Sequence, residues 1–300
     1  MKKRLTTVML LAVAMLLPAL GQEVEVTSVM PLLDHRADAE AAFYPKLNAS
    51  GDKLLFLTDG AGLKMYDMAS DCITTVTPDY VAGGDACWGG DGKVYFVTQE
   101  QGGNHLIYRT GHCYDDKKGS ITQLTEPQHG AVSAVPATRG GALRAPSGTY
   151  RSAGDIGDAA WTEGSRVHVT VGGQERVFSP VDSWAGYLWA SLSPDGKRVA
   201  FFAAGKGVVV IDLRGQVLAM LGNYEMPCWY NNDYLVAQNA KDDGHQFTSS
   251  QIVLLKADGT YRTELTRPES MTMQPTCGGG KIVYTTIDGL LREMTINIYE

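Results

Sequence analysis

A hairpin pattern recurs along most of this chain. Each copy has a short apolar strand, a tight turn rich in Asp, Asn or Gly, and a second strand of β-branched and aromatic residues. The clearest copy occupies residues 190–202, with the sequence ASLSPDGKRVAFF. A unit that repeats every few dozen residues cannot bury both of its own faces, so it must stack against its neighbours. The repeats therefore predict a set of similar small sheets packed side by side.

The spacing of the copies predicts how many sheets there are. Clear copies start near residues 45, 86, 190, 227 and 275. The interval from 86 to 190 is long enough for two copies, which predicts a degenerate one near Ala134. Third and fourth strands follow the hairpins, and several copies end in Leu-Thr, as at 124–125 and 265–266. Four antiparallel strands per repeat make a propeller blade. We predict an all-β, six-bladed β-propeller with four-stranded antiparallel blades.

The degenerate copy is the least regular part of the pattern. Residues 131–145 form a weak hairpin pattern around Arg139-Gly140-Gly141, and a loop rich in Gly and Ser follows. Further strands are predicted at 159–161, 166–171 and 175–178. Two interpretations remain: one blade with an inserted loop, or a local irregularity of the ring.

The two ends of the chain complement each other. The last copy stops one strand short of a blade, whereas residues 24–30 alternate like a strand and have no partner nearby in sequence. An open edge would leave backbone groups unpaired, so the N-terminal strand is predicted to complete the last blade. Asp34 is predicted to cap a short helix from His35 to Ala42.

The N-terminal segment has the pattern of a secretory signal. Basic residues at 2–4 precede an apolar run from Val8 to Leu17, and small residues at Ala19 and Gly21 suit cleavage before Gln22. An uncleaved anchor is the alternative, but ten apolar residues fall short of the ~20 that span a membrane. The prediction is a signal peptide at 1–21, a single propeller domain at 22–300, and a periplasmic or extracellular location.

The net negative charge of the chain argues against some classes of binding partner. The formal net charge is −7, and removal of residues 1–21, which carry three basic and no acidic residues, lowers it to −10. Such a surface repels phosphate backbones and anionic lipid. We expect neither nucleic-acid binding nor membrane insertion, and we expect a monomer.

The chain has an odd number of cysteines for an oxidising compartment. At least one thiol must stay free or pair between chains. Those in opening strands are interpreted as small buried apolar residues rather than catalytic thiols. Because no CxxC pair occurs, a zinc or thioredoxin-type site has no support, and no cofactor is predicted. The five positions are Cys72, Cys87, Cys113, Cys228 and Cys277.

The hairpin sequence resembles that of a known repeat family. The run Ser193-Pro194-Asp195-Gly196-Lys197 before an apolar strand, with Leu-Thr at blade ends, is similar to the WD-like repeat of TolB-like propellers. Related repeats occur in tricorn protease and in prolyl-oligopeptidase-like enzymes. The resemblance covers the chain from about residue 43 onward. It implies an exported six-bladed propeller that works through one face.

Catalytic signatures are weak. No serine lies in a GxSxG elbow, which disfavours a serine hydrolase. The spacings of His105, His112 and His129 are not those of a compact metal motif. The loop 241–245 offers oxygen donors but lacks the alternating Asp pattern of calcium loops. Aspartates that precede glycines are explained by tight turns. No catalytic or metal-binding residue is predicted.

The residue immediately before each opening strand is the candidate binding position. In a propeller the first strands surround the central channel, so these residues are expected to converge at one mouth. Aromatic, acidic, thioether and amide groups in a concave mouth suit a peptide or glycan. The alternative is that they merely plug the channel. Trp184 and Tyr187 are predicted to extend this aromatic rim. The candidate ligand-binding residues are Tyr44, Asp85, Trp189, Met226 and Gln274.

Three hypotheses of function follow. The first is an exported, non-catalytic propeller that binds a protein, peptide or glycan of the cell envelope at its channel mouth. The second is a channel-face polysaccharide lyase or hydrolase that uses a divalent metal held by several blades. The third is a structural module of a larger envelope assembly.

Overall fold

The computed structural model describes residues 23–34, 36, 40–84, 86–103, 105–144, 151–152 and 157–299. The predicted signal peptide and part of the predicted helix from His35 to Ala42 lie outside these residues. Where the structure describes the helix prediction, it is wrong: residues 40–41 are not helical, and Ala42 begins a strand. Asp34 instead accepts a hydrogen bond from the Arg292 guanidinium at 2.9 Å.

The described chain is built almost wholly of strands, with two short 3-10 helices at Tyr80–Gly83 and Pro268–Ser270. No helix within the described ranges has the length and apolar character that crossing a membrane requires. The strands are β1 Glu23–Pro31, β2 Ala42–Leu47, β3 Lys53–Thr58, β4 Gly62–Asp67, β5 Cys72–Thr77, β6 Cys87–Trp88, β7 Val94–Gln101, β8 Ile107–Asp115, β9 Ser120–Gln123, β10 Gln128–His129, β11 Ser133–Val135, β12 Ala142–Arg144, β13 Arg151–Ser152, β14 Ala159–Glu163, β15 Arg166–Val171, β16 Gln174–Phe178, β17 Tyr187–Leu192, β18 Arg198–Ala203, β19 Gly207–Asp212, β20 Val217–Gly222, β21 Glu225–Trp229, β22 Tyr234–Asp242, β23 Phe247–Lys256, β24 Arg262–Glu264, β25 Thr272–Gly278, β26 Lys281–Thr286 and β27 Leu291–Tyr299.

These strands form the six antiparallel blades of a propeller ring. Blade 1 is β2–β5, and blade 2 is β6–β9 with β10 added to the far end of β8. Blades 4 and 5 are β17–β20 and β21–β24. Blade 6 consists of β25–β27 and β1. The predicted fold class is confirmed.

Blade 3 is the degenerate copy, and it contains an inserted hairpin. Its first strand, β11, pairs with β12 of the insertion, while the residues just beyond β11 turn to β14. Ala137 forms an antiparallel bridge to Ala159, and the Thr138 amide donates to the Asp158 carbonyl at 2.9 Å. The strands β14, β15 and β16 then complete the blade. Of the two interpretations of this region, one blade with an insertion is the observed one.

The N-terminal strand closes the ring, as predicted. β1 runs antiparallel to β27, from Glu23 opposite Tyr299 to Pro31 opposite Arg292, with an irregularity at Thr27. The Thr27 hydroxyl compensates by bonding to the Thr295 carbonyl at 3.1 Å. The first and last strands of the chain are therefore neighbours in one sheet.

The hydrophobic core is divided among the blade interfaces. A separate apolar cluster fills each of the six junctions between consecutive blades, including the junction of blade 6 with blade 1. In that junction Val283 and Leu291 of blade 6 pack with Leu54 and Phe56 of blade 1. Because every junction is filled, the ring is closed.

The middle strands are apolar at nearly every position because both of their faces are covered. In β18 the consecutive residues Val199, Ala200 and Phe201 are all fully buried. Val199 and Phe201 face the blade 3 side, and Ala200 faces blade 5. A strand with only one covered face would instead alternate apolar and polar residues.

The tight turn that joins the first two strands is stabilised by the motif seen in the sequence. In blade 4 the Gly196 amide donates to the Ser193 carbonyl at 2.8 Å, and Gly196 has φ +68°. The Asp195 carboxylate accepts from the Ser193 hydroxyl at 2.6 Å and from the Lys197 amide at 3.2 Å. These bonds account for Asp195 as a turn residue.

A paired substitution in β1 tests whether this strand contributes to the core. Val24 packs against the cluster between blades 5 and 6, whereas Val29 in the same strand is 47% exposed. We expect Val24→Asp to lower stability by about 2 kcal/mol, because a carboxylate would be placed in apolar surroundings. Val29→Asp is the control and should change stability by no more than about 0.5 kcal/mol. Equal thermal shifts in the two variants would contradict the role given to β1.

Candidate functional site

The candidate site lies where the first strands of the blades begin. The first strands of blades 4, 5, 6 and 1 contact one another in that order, and a parallel bridge joins Gly89 and Ala137, just beyond the first strands of blades 2 and 3. Each first strand starts at the end of the ring that carries the connections between blades. We call this end the mouth.

Four candidate residues share one unusual backbone conformation. Tyr44, Trp189, Met226 and Gln274 have φ of 52°, 55°, 51° and 56°, in the left-handed region that non-glycine residues rarely occupy. At each of them the pairing of the first strand with the second shifts register. The four residues therefore occupy an equivalent bulge in blades 1, 4, 5 and 6.

The bulge corrects one detail of the prediction. The candidates were expected immediately before the first strands, but β2, β17 and β25 each begin two residues before their candidate, and β21 begins one residue before. In blades 1, 5 and 6 a proline follows the left-handed residue, at Pro45, Pro227 and Pro275. Proline has no N–H to give to the sheet ladder, which suits it to a bulge.

Of the described candidates, Tyr44 and Gln274 are joined by a hydrogen bond, and Tyr44 and Trp189 are open to solvent. The Tyr44 side chain is 44% exposed and that of Trp189 is 39% exposed. The Trp189 ring lies 5.4 Å from the ring of Phe202, tilted by 52°. Met226 and Gln274 are partly buried. Asp85, the fifth candidate, lies outside the described residues.

Hydrogen bonds of two glutamine side chains connect blade 1, blade 6 and blade 5 beside the bulges. The Gln274 side-chain oxygen accepts from the Tyr44 amide at 2.7 Å, so blade 6 holds the bulge of blade 1. The backbone N–H of Gln274 in turn donates to the Gln238 side-chain oxygen at 2.8 Å. Gln238 also donates to the Glu225 carboxylate at 3.4 Å. Gln274 thus has a positioning role, since it holds the backbone of its neighbour.

Sequence reasoning missed Gln238 and Glu225. Gln238 is 4% exposed and follows four apolar residues of β22, so a buried polar residue in an apolar strand was the available signal. Glu225 directly precedes the candidate Met226. Burial raises the pKa of the Glu225 carboxyl, and the nearby Asp242 raises it further. The two carboxyl groups give this side of the mouth acidic character.

The two residues predicted to extend the aromatic rim differ in exposure. Trp184 is 84% exposed and lies beside Gly205, along an open groove of about 620 Å³ that also contains Asp182 and Lys206. Tyr187 is 2% exposed, and its hydroxyl bonds to the backbone of Val181. The prediction that Tyr187 belongs to the rim is wrong, because this residue is part of the core.

The histidines and the acidic loop do not gather into a metal centre in the described part of the chain, where no three His, Cys, Asp or Glu side chains are grouped as a metal would require. His112 lies in β8, stacked on Phe96 with 5.3 Å between ring centroids, and burial lowers its pKa. In the loop 241–245, Asp242 and Asp243 accept from backbone amides of the hairpin tip.

Solved structures with this architecture include TolB of Acinetobacter baumannii, with a TM-score of 0.54 and 16% sequence identity. The match covers 79% of this chain and 57% of that TolB. A putative TolB of Agrobacterium tumefaciens (TM-score 0.53, 12% identity) matches over 93% of this chain and 98% of its own. The fold is that of a TolB-like β-propeller. No protein-family model and no curated protein sequence matches the chain.

Virginiamycin B lyase of Staphylococcus aureus has the same kind of fold (TM-score 0.56, 14% identity), with 91% of this chain and 99% of that chain covered. The TolB-like propeller here spans less than two thirds of the A. baumannii TolB. At these identities the likeness concerns the fold, and the same architecture serves proteins of different activity.

The left-handed bulge can be tested by comparing glycine with alanine. At Tyr44 we expect the Gly variant to be more stable than the Ala variant by about 1 kcal/mol, because alanine is strained at positive φ. At the preceding Phe43, in ordinary strand conformation, the order should reverse, since glycine weakens a strand by about 0.5–1 kcal/mol. Chemical denaturation of Y44A, Y44G, F43A and F43G measures both differences. The same order at both positions would refute the bulge.

The raised pKa of Glu225 predicts a pH-dependent effect of Glu225→Gln. The folded chain holds the proton more tightly than the unfolded chain, so ionisation of Glu225 destabilises the fold as pH rises through its folded pKa. We expect the variant to be more stable than wild type at pH 7. The difference should vanish below the ordinary glutamate pKa of 4.5, where both side chains are neutral.

Melting temperatures from pH 3 to 8 measure this effect, with the exposed Glu269→Gln as a matched control. The control should follow wild type over the whole range. A Glu225→Gln variant less stable than wild type at pH 7 would contradict the assigned sign.

Proposed function

We propose that this TolB-like propeller is an exported, non-catalytic binding protein that takes a peptide segment of an envelope protein at its mouth. The observation that carries the proposal is the set of four equivalent left-handed bulges at Tyr44, Trp189, Met226 and Gln274. Each such residue costs about 1–3 kcal/mol and persists because its surroundings hold it in place. Strain kept at the same position in four blades supports a functional role for this end of the ring.

The side chains at these positions support a binding role. The backbone repeats from blade to blade, whereas the four residues are two aromatic side chains, a thioether and an amide. A pure plug of the axis would favour burial, yet Tyr44 and Trp189 keep 44% and 39% of their surface exposed. Rigid aromatic groups offer large contact area at low entropic cost, and they are enriched at binding hot spots.

The charge around the mouth favours a basic segment over a neutral or acidic ligand. Burial raises the pKa of Glu225, and the negative charge of the nearby Asp242 raises it further. A Lys or Arg side chain placed between them would relieve their repulsion. The formal charge of the whole chain, −7, adds long-range attraction for a cationic partner.

Capture experiments with a double variant test this proposal. Immobilised wild type should enrich Lys- or Arg-containing sequences from a displayed random-peptide library, and Tyr44→Ala/Trp189→Ala should bind the selected peptides at least about tenfold more weakly. Met220→Ala/Tyr299→Ala removes two comparably exposed side chains from strands other than the first strands and is the control. Binding that is equal in all three proteins would place recognition elsewhere.

A glycan array run in parallel distinguishes the ligand classes. If a glycan binds selectively and the Tyr44→Ala/Trp189→Ala variant loses that binding, the proposed binding site is retained but its ligand is a glycan rather than a peptide.

A second candidate is a channel-face polysaccharide lyase or hydrolase that uses a divalent metal. The likeness in fold to the S. aureus virginiamycin B lyase is the observation that favours an enzyme. Elemental analysis of the purified protein separates the two candidates, because a bound transition metal at one equivalent would favour the enzyme. We expect less than a tenth of an equivalent, about the level of adventitious binding.

A further inference from the structure

Two cysteines from neighbouring blades meet at one junction of the ring. The Sγ atoms of Cys228 in blade 5 and Cys277 in blade 6 lie 2.8 Å apart. Nonbonded heavy atoms ordinarily keep about 3.5–4.0 Å even between carbons, and a disulfide bond is about 2.05 Å long. A movement of less than about 1 Å would therefore bring the two sulfurs to bonding distance.

The pair occupies a position that the ring uses for contacts between blades. At the preceding junction Trp229, three residues after the bulge residue Met226, donates its indole N–H to the Ser191 carbonyl at 2.9 Å. Ser191 is two residues after the bulge residue Trp189. Cys277 is likewise three residues after a bulge, and Cys228 two, so the cysteines are the equivalent contact at the next junction.

The junction between blades 1 and 2 has the same arrangement as that of Trp229. Trp88 donates its indole N–H to the Lys46 carbonyl at 2.8 Å. A tryptophan indole therefore spans the junction of blades 1 and 2 and another spans that of blades 4 and 5. At the junction of blades 5 and 6, the two small side chains of Cys228 and Cys277 meet instead. A covalent bond there would replace the contact that the indole provides.

The surroundings of the pair are apolar and lie between blade 5 and blade 6. Cys228, Cys277 and Val24 of β1 pack against one cluster, with Ile282 and Met294. We infer that Cys228 and Cys277 form a disulfide that fastens blade 5 to blade 6, the blade completed by the N-terminal strand. The inference is independent of the function proposed for the mouth.

The bond forms by oxidation of both thiols. Each cysteine loses one proton and one electron, and a small-molecule or protein disulfide takes up the two protons and two electrons and leaves as two thiols. Burial raises the pKa of the Cys277 thiol well above its ordinary value, and the adjacent Cys228 raises it further. Because the thiolate is the reacting species, the bond should form before this junction is packed.

Peptide mapping of the wild-type chain is the direct test. The full chain is refolded with oxidised glutathione, denatured, alkylated without reduction, and digested. We expect a peptide that links Cys228 to Cys277, an intact mass lighter by two hydrogens than after reduction, and alkylation of Cys72. Alkylation of both Cys228 and Cys277 without prior reduction would overturn the inference.

Thermal melting with and without reductant gives a second readout. Closing a loop between residues 49 apart should raise the melting temperature by about 5–10 °C. Reductant should remove that increment from wild type and from the control Cys72→Ser, and should leave Cys228→Ala/Cys277→Ala unchanged. If the double variant does not fold, the linked peptide in wild type still decides the question. A melting temperature of wild type that does not respond to complete reduction would contradict a fastening role.

Discussion

The rest of the structure depends on the burial of each blade between two others. Strand β19 is buried along almost its whole length because neighbouring blades cover both of its faces. A single blade has no hydrophobic interior of its own, and its stability comes from the two junctions it shares. Such an arrangement is complete when the last blade meets the first, which is why the pairing of β1 with β27 matters beyond its own hydrogen bonds. The cluster of Leu54 and Phe56 with Val283 and Leu291 is the packing counterpart of that pairing.

Closure of the ring also determines how the inner edges of the first strands form their hydrogen bonds. A first strand is hydrogen bonded to the second strand on one side, and its other edge faces the axis. Side chains of adjacent blades bind the polar groups of that edge. Trp88 and Trp229 donate to carbonyls of the preceding blade, while Gln274 and Thr276 accept from amides of blade 1. These four edge groups are thus satisfied without a fifth strand, and the side chains that bind them join neighbouring blades.

The sequence predicted the features that arise from local chemistry. Asp-Gly turns and runs of β-branched residues are recognisable because the hairpin depends on residues close together in the chain. The Leu-Thr blade ends have a local cause too: the Thr266 hydroxyl accepts from the Ile252 amide at 2.8 Å, and Leu265 is buried. The start of β2 was placed too late because the bulge at Tyr44 interrupts the pairing, although Pro45 was a visible sign of that interruption.

Contacts that depend on how the blades stack could not be predicted from the sequence. The approach of Cys228 to Cys277 joins residues 49 apart, and it follows from the relative register of two first strands. The bond between Gln274 and Tyr44 joins residues 230 apart and exists only in a closed ring. The candidate residues were found because they repeat in sequence, but their left-handed backbone was not, since none of the four is glycine or asparagine.

The mouth therefore combines two layers with different tasks. Gln238 is buried and Gln274 is partly buried, and their hydrogen bonds fix the backbone of Gln274 and Tyr44. Tyr44 is held by these hydrogen bonds, and Trp189 occupies the equivalent bulge of blade 4; both have much of their surface in solvent. Substitution in the inner layer disturbs neighbouring blades as well as any ligand, because one amide serves two blades. Substitution of Tyr44 or Trp189 changes exposed surface and leaves the hydrogen bonds of Gln274 and Gln238 in place, so these two positions can vary at lower cost to the ring.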